Sequence, residues 1–158
     1  MLLKDKKIVI FGVANKYSIA TGIAKSMHQQ GAKLAFAYQN ERLLKNIKPI
    51  AEELGSEILI ECDVSDDNSI DQAFKDLTSK WQKFDGLVHS IGFAPADQLE
   101  GNFVDVTTRE GFKIAHDISS YSFTALAKAS KPYLNENAAL LTLTYLGSFL
   151  LYTSPIPR

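Results

Sequence analysis

The stretch with the most chemical potential reads Gly12-Val13-Ala14-Asn15-Lys16-Tyr17-Ser18-Ile19-Ala20-Thr21-Gly22. It follows the apolar run Lys7-Ile8-Val9-Ile10-Phe11 and opens a segment with helical apolar spacing. A glycine at a strand end permits a tight turn and close backbone approach. The free N–H groups at the start of the next helix attract an anion. Ser18 can add a hydroxyl donor, and Gly22 is expected to let the helix pack close to the sheet. The stretch lacks the middle glycine of G-x-G-x-x-G and is longer. Spacing alone therefore leaves two readings open, a phosphate cradle or an ordinary strand-turn-helix.

Three more strand ends carry candidate groups. Tyr38-Gln39-Asn40 closes the second strand, where dinucleotide folds place an acid for the adenosine ribose or an arginine for a 2′-phosphate. Gln39 is neutral, so its chemistry does not choose between NAD and NADP. Cys62-Asp63-Val64 closes the third; Asp63 is read either as an acceptor for an adenine amino group or as the N-cap of the following helix. Ser90-Ile91-Gly92 closes the fourth, and Gly92 either lets a flat ligand lie on backbone or makes a plain turn. His89 beside Ser90, with Asp63 and Asp85, invites a hydrolase reading, but no G-x-S-x-G elbow is present. His89 alternates within a buried strand and is expected to be a satisfied core histidine. His116-Asp117 is read as a helix-surface pair rather than a proton relay, and Lys25, Lys128 and Lys131 as solvated helix faces. His28, His89 and His116 lack metal-ligand spacing and Cys62 has no second thiol, so no metal is expected.

The elements that would position these groups alternate regularly. Strands are expected at 7–11, 34–38, 57–62, 86–90 and 138–144. Helices are expected from Ser18 to a C′ glycine at Gly31, over Leu43 to Leu54 with a kink or restart at Pro49, over Ile70 to Trp81, and from Thr108 to about Lys131. The last is expected to turn Phe112, Ile118, Ala125, Leu126 and Ala129 inward. A loop is expected from Gly92 to about Asp105. This alternation specifies α/β architecture: a doubly wound, Rossmann-like parallel sheet with helices on both faces.

Composition agrees but is bland. The chain has 158 residues, 46% hydrophobic and 22% charged, with net charge −1. That suits one folded domain and offers no basic tract for nucleic acid. One cysteine excludes a disulfide framework and fits a reducing compartment. The first residues are not read as a signal peptide. The longest apolar run, 138–151, falls short of the roughly 18 residues of a membrane helix. The expectation is a cytoplasmic protein.

Together these pieces resemble bacterial NADH-dependent enoyl-acyl carrier protein reductases of the short-chain dehydrogenase/reductase class. The resemblance rests on Gly12 with Ser18-Ile19-Ala20, Ala35-Phe36-Ala37-Tyr38, Cys62-Asp63-Val64 and Phe84-Asp85-Gly86. Its most specific segments are Val88-His89-Ser90-Ile91-Gly92-Phe93-Ala94-Pro95 and the run from Thr108 to Phe123, with Leu141-Thr142-Leu143-Thr144-Tyr145-Leu146-Gly147 closing it. It implies reduction of the trans-2 double bond of an acyl thioester carried on acyl carrier protein. Hydride passes from NADH to the β-carbon and the enolate is then protonated. It places Gly12, Ser18 and Ile19 toward the pyrophosphate and nicotinamide side, and Gln39 by the adenosine ribose, which suits NADH. Asp63 and Val64 would bracket the adenine, Ile91 and Gly92 line the cleft, and Ile118 pack near the nicotinamide ribose. Ala94 would offer backbone to substrate. Tyr145 would be the catalytic tyrosine near the substrate carbonyl. The family is a homo-tetramer built largely on the long helix and the one after it.

Past Tyr-Leu-Gly the family continues to a Tyr-x6-Lys pair, which supports the enolate oxygen and holds the nicotinamide ribose. Here the chain reads Ser148-Phe149-Leu150-Leu151-Tyr152-Thr153-Ser154-Pro155-Ile156-Pro157-Arg158, and no lysine lies seven residues beyond Tyr152. The expectation is an NAD-binding domain over 1–147 and a divergent tail over 148–158, of the kind a reading-frame change leaves. The sheet would be incomplete at its C-terminal side, with the apolar face of the last strand uncovered. The chain would be poorly soluble and inactive. The alternative is a non-catalytic nucleotide-binding or assembly fragment that joins a full-length homologue.

Overall fold

The computed structural model describes residues 1–144. Five parallel strands form one sheet: β1 (Lys7–Phe11), β2 (Lys33–Tyr38), β3 (Ile58–Glu61), β4 (Phe84–His89) and β5 (Leu134–Thr142), in the order β3-β2-β1-β4-β5. Between them run α1 (Ile19–Gln29), α2 (Glu41–Glu53) and α3 (Asp67–Lys80). After β4 come a 3₁₀ turn (Ala96–Gln98), the single turn α4 (Phe103–Val106), α5 (Arg109–His116), a π turn (Asp117–Tyr121) and α6 (Ser122–Ser130). The chain leaves β1 toward β2 on one side and returns to β4 on the other. The switch in winding therefore lies between β1 and β4.

Strand alternation divides the core into two layers. Val9, Phe11, Ala35, Ala37 and Leu87 face α3 and α6, where Phe74, Leu77, Phe84 and Leu126 are fully covered. Ile8, Ile10, Leu34, Phe36 and Val88 face α1 and α2, meeting Ala20, Ala24, Ile47 and Ile50. Each fully buried large side chain contributes about 1.5–3 kcal/mol relative to exposure. Ala20 and Ala24 keep α1 near the sheet by being small.

Several expectations are corrected. Pro49 does not restart the helix, because α2 runs from Glu41 to Glu53 with Pro49 inside it. It lies on the exposed face, where the carbonyl its ring leaves without a partner can meet water. The long helix expected from Thr108 is interrupted by the π turn, and Phe112 points outward at 50% exposure. The loop after β4 holds two short helical pieces. β5 begins at Leu134 instead of Ala138: Leu134 already pairs with Phe84, and the ladder is then irregular up to the Gly86–Ala139 pair, with Asn137 at φ 63°. Gly22 does not mediate close packing, since a Cβ there would meet nothing within 4 Å. Among the described residues β5 is one edge of the sheet, with Leu141 43% exposed and Leu143, just past its end, 39% exposed.

Candidate functional site

A cleft of about 250 Å³ opens at the carboxyl ends of β1, β2 and β4. Of the residues singled out in the sequence, Gly12, Gln39, Val64, Ile91, Gly92 and Ile118 line it. Asp63 stands just behind, joined to the Gln39 amide, which donates to its carboxylate at 3.3 Å. Ser18 and Ile19 form the start of α1 outside the lining, Ile19 with 69% of its surface exposed. Ala94 is half-buried in the loop beyond Phe93 and does not line the cleft. Tyr145 lies outside the described residues.

Gly12 is demanded twice. Its φ of 95° is a conformation that side chains disfavour, and a Cβ would run into the backbone carbonyl of Ser90. β1 and β4 thus come together at the head of the cleft, where the Ser90 N–H donates to the Phe11 carbonyl at 3.0 Å. A Cβ on Gly92, by contrast, would meet open space.

The helix that starts at this turn differs from its neighbours. Asn40, Asp66 and Thr108 cap α2, α3 and α5 with their side chains, and each of those helices carries an acid in its first turn. α1 has neither. Its N-cap residue Ser18 gives no side-chain cap, and no acid stands in its first turn. The Ser18 and Thr21 hydroxyls instead donate to the Asn15 carbonyl at 2.8 and 2.7 Å, fixing the turn. The open N–H groups and positive dipole end of α1 remain free to meet an anion. The capping role considered for Asp63 belongs to Asp66, which accepts the Asn68 N–H at 2.9 Å.

Electrostatics differ along the cleft. Burial alone would raise the Asp63 carboxyl. Hydrogen bonds from the Ser65 N–H, the Ser65 hydroxyl and the Gln39 amide outweigh burial and hold it below the usual carboxylate range. Asp63 is therefore an anion at neutral pH. Cys62 is the reverse: burial, aided by Asp63, pushes its thiol up to about 12, so it lines the cleft as an inert apolar group.

Behind the β4 side lies a buried polar chain. His89 is 1% exposed. Its Nε2 is 2.7 Å from Ser122 Oγ, and its Nδ1 is 3.1 Å from Thr142 Oγ1. Ser122 Oγ donates to the Ile118 carbonyl at 2.6 Å, which spends its single proton. Nε2 must then carry the hydrogen and Nδ1 accept from Thr142. Burial pushes the imidazole's pKa down, so the ring is neutral. The satisfied core histidine expected from the sequence is thus present, and it braces the π turn against β4 and β5. His116 makes its hydrogen-bonding contact with the Phe112 carbonyl, and Lys25 pairs on the surface with Glu53 at 2.8 Å. Among the described residues no cluster of His, Cys, Asp and Glu could hold a metal. No helix among them is long and apolar enough to cross a membrane.

Tyr38, Leu43, Phe11, Val13, Ser90 and Phe93 also line the cleft but were not singled out. Most are apolar and read as core. The one signal that could have found all but Leu43, which lies in the first turn of α2, is position at or just past the carboxyl ends of β1, β2 and β4.

A parallel sheet of this order, with a glycine-turned cleft beside its switch point, defines a Rossmann-like α/β protein. The family model for enoyl-(acyl carrier protein) reductase matches residues 12–154, and the chain belongs to that family. It is 59% identical over 146 residues to the NADH enoyl-[acyl-carrier-protein] reductase FabI of Escherichia coli K12, covering 92% of this chain and 56% of that one. FabI of Haemophilus influenzae is 55% identical over the same span. The crystal structure of the NADH enoyl-[acyl-carrier-protein] reductase of Aquifex aeolicus superposes with a TM-score of 0.91 at 44% identity, covering 99% of this chain and 61% of that one. The enzyme from Anaplasma phagocytophilum, solved in complex with NAD, gives 0.89 at 41%, covering 98% and 58%. The chain spans little more than half the length of the curated relatives it matches.

Proposed function

We propose that this chain binds NADH in the cleft at the head of β1, β2 and β4, and is the nucleotide-binding part of an enoyl-acyl carrier protein reductase. The observation that carries the reading is the open N-terminus of α1 facing out of the Gly12 turn, while α2, α3 and α5 are capped and acid-lined. A pyrophosphate there would accept the free N–H groups of α1. Gln39 and the ionised Asp63 would hold the adenosine end. A carboxylate anion at that end repels a 2′-phosphate, which favours NADH over NADPH. Val64 would lie along the adenine, Ile91 and Gly92 along the middle of the cofactor, and Ile118 by the nicotinamide ribose. Ser18 and Ile19 would close over the pyrophosphate and nicotinamide side.

The reaction proposed is the relatives' own: reduction of a trans-2-enoyl thioester on acyl carrier protein, in the cytoplasm. NADH supplies the hydride when bound. Ala94 would present backbone to the substrate and Tyr145 its hydroxyl near the thioester carbonyl. Residues 1–147 make up the nucleotide-binding unit in this reading, and 148–158 add no group to it. The sequence carries no Tyr-x6-Lys after Gly147, so the expected outcome is cofactor binding without turnover. Fluorescence titration of the 158-residue chain should give an NADH affinity at least about tenfold above that for NADPH. Absorbance of NADH should stay constant when a trans-2-enoyl thioester is added. Equal affinity for both nucleotides would refute the role given to Gln39 and Asp63, and turnover would refute the requirement for the missing pair.

A second reading is a non-catalytic module that joins a full-length homologue within the family's tetramer. The exposed Leu141 on the edge strand, with Leu143 just past its end, favours it. Co-purification with a longer homologue would support it, and a monodisperse monomer would count against it.

A further inference from the structure

One side chain ties the loop after β4 to the π turn. Ser119 Oγ donates to the Phe93 carbonyl at 3.0 Å and accepts the Phe93 N–H at 2.9 Å. A single hydroxyl thus satisfies both backbone groups of one residue, as a neighbouring strand would. Both ends of this tie border the cleft. Gly92 and Phe93 line it from the loop, and Ile118, next to Ser119, lines it from the π turn. The π turn is held from its other side by Ser122 on His89.

The loop has few other fastenings. Phe93 is 51% exposed and packs in neither core layer. Farther along, Gln98 Oε1 accepts the Thr108 N–H at 2.7 Å, which anchors the distal part of the segment to α5. Between β4 and Gln98, the hydrogen bonds that reach the π turn are those of Ser119. π turns interrupt helices where local geometry serves a site. Here the interruption accompanies Ile118 in the cleft, Ser119 on the loop and Ser122 on β4.

We propose that Ser119 is a positioning residue for the cofactor cleft. It holds both backbone groups of Phe93 and so fixes the cleft wall on the β4 side of β1, across from Gln39. The inference rests on the reading that NADH occupies this cleft. Releasing Phe93 lets the wall sample open positions, and only the closed fraction binds, so affinity falls while the core stays folded.

The test uses the full 158-residue chain, with NADH as the probe, and compares wild type with Ser119→Ala and Ser119→Thr. Three quantities are read: NADH affinity by fluorescence, the thermal midpoint, and hydrogen exchange at the Phe93 amide. Ser119→Ala should weaken NADH roughly five- to tenfold and speed Phe93 exchange by a similar factor, the scale of one or two lost hydrogen bonds. Its midpoint should move by no more than about 2 °C, since the lost bonds are exposed. Ser119→Thr keeps the hydroxyl and should restore affinity to within about twofold of wild type. Unchanged affinity in Ser119→Ala overturns the proposal. So does a loss that Ser119→Thr fails to restore, or one that merely tracks a large fall in midpoint. A wild-type chain that binds no NADH overturns the nucleotide reading and this inference with it, which keeps the two failures apart.

Discussion

The two ends of the β1/β4 pair are built on opposite terms. At the amino end charges are paired. Asp85 accepts the Lys7 N–H at 2.9 Å and the Lys6 ammonium at 3.0 Å. Lys33 pairs with Asp5 at 3.1 Å, and the backbone of residues 3–6 bonds to the end of α1 and the start of β2. At the carboxyl end groups are left open: an uncapped helix, an exposed Gly92 and a glycine in a conformation other residues resist. Paired groups are concentrated at the amino end and unsatisfied capacity at the carboxyl end. The same strands serve both ends, so the difference comes from the turns.

Gly12→Ala attacks the open end most directly. A Cβ would meet the Ser90 carbonyl at a φ of 95°, and both strands would have to part. The expected cost is on the order of 3–5 kcal/mol, a size reserved for backbone strain and core disruption. Chemical denaturation would measure it, and NADH binding should vanish with it. A variant close to wild type in both would mean the turn can relax, and the contrast between the two ends would lose its strongest support.

His89→Ala comes next, at about 2–3 kcal/mol, because it empties a fully buried site and removes the ring that joins Ser122 to Thr142. The histidine also gives a pH signature. Burial lowers its folded pKa below the ordinary 6.5, so just under that pH the unfolded chain binds more protons than the folded one. Its contribution is intact above about 6.5 and is lost as pH falls toward the folded value. Stability measured between pH 7 and 5 should therefore slope less in His89→Ala than in wild type.

Asp85→Asn tests the amino end and should cost less, about 1–2 kcal/mol, since Lys6 is half-exposed and can turn to water. Burial would raise this carboxyl, but bonds from the Lys7 N–H, Lys6 and Asn135 hold it below 3.8. Its contribution is present above that value and is lost as pH falls beneath it, a window separate from that of His89. NADH affinity should stay unchanged, because the substitution sits at the far end of the strands.

The legible parts of the molecule were those decided locally. β1, β2 and β4 are buried on both faces, so their apolar runs announce them. Gly12, Gln39, Val64, Ile91 and Gly92 were legible because they lie at or just past strand ends, and Ile118 because of the family resemblance. The π turn was not legible. It coincides with tertiary contacts, Ser119 on Phe93 and Ser122 on His89, and neither pairing leaves a mark on helical spacing. The start of β5 was hidden by the polar Asn135-Glu136-Asn137, whose irregular ladder suits an edge strand. Tyr38, Leu43 and Cys62 read as core because the cleft wall is itself apolar.

Gly22 makes the smallest and sharpest case. Like Gly12, it invites a reading as part of a phosphate-binding turn, one glycine for the turn and one for helix packing. Only Gly12 has that need. Gly22 sits on the exposed face of α1, and a methyl group there would meet nothing within 4 Å. Gly22→Ala should therefore stabilise the chain by roughly 0.5–1 kcal/mol, the helix propensity gained without a steric cost. NADH affinity should stay within about twofold, since the uncapped N–H groups begin three residues earlier. A rise in thermal midpoint beside the collapse of Gly12→Ala would show that two glycines of one turn answer to different constraints. A loss of affinity at unchanged stability would instead mean that the ligand reaches the second turn of α1, and that the open end of the molecule extends farther along the helix than the apolar cleft.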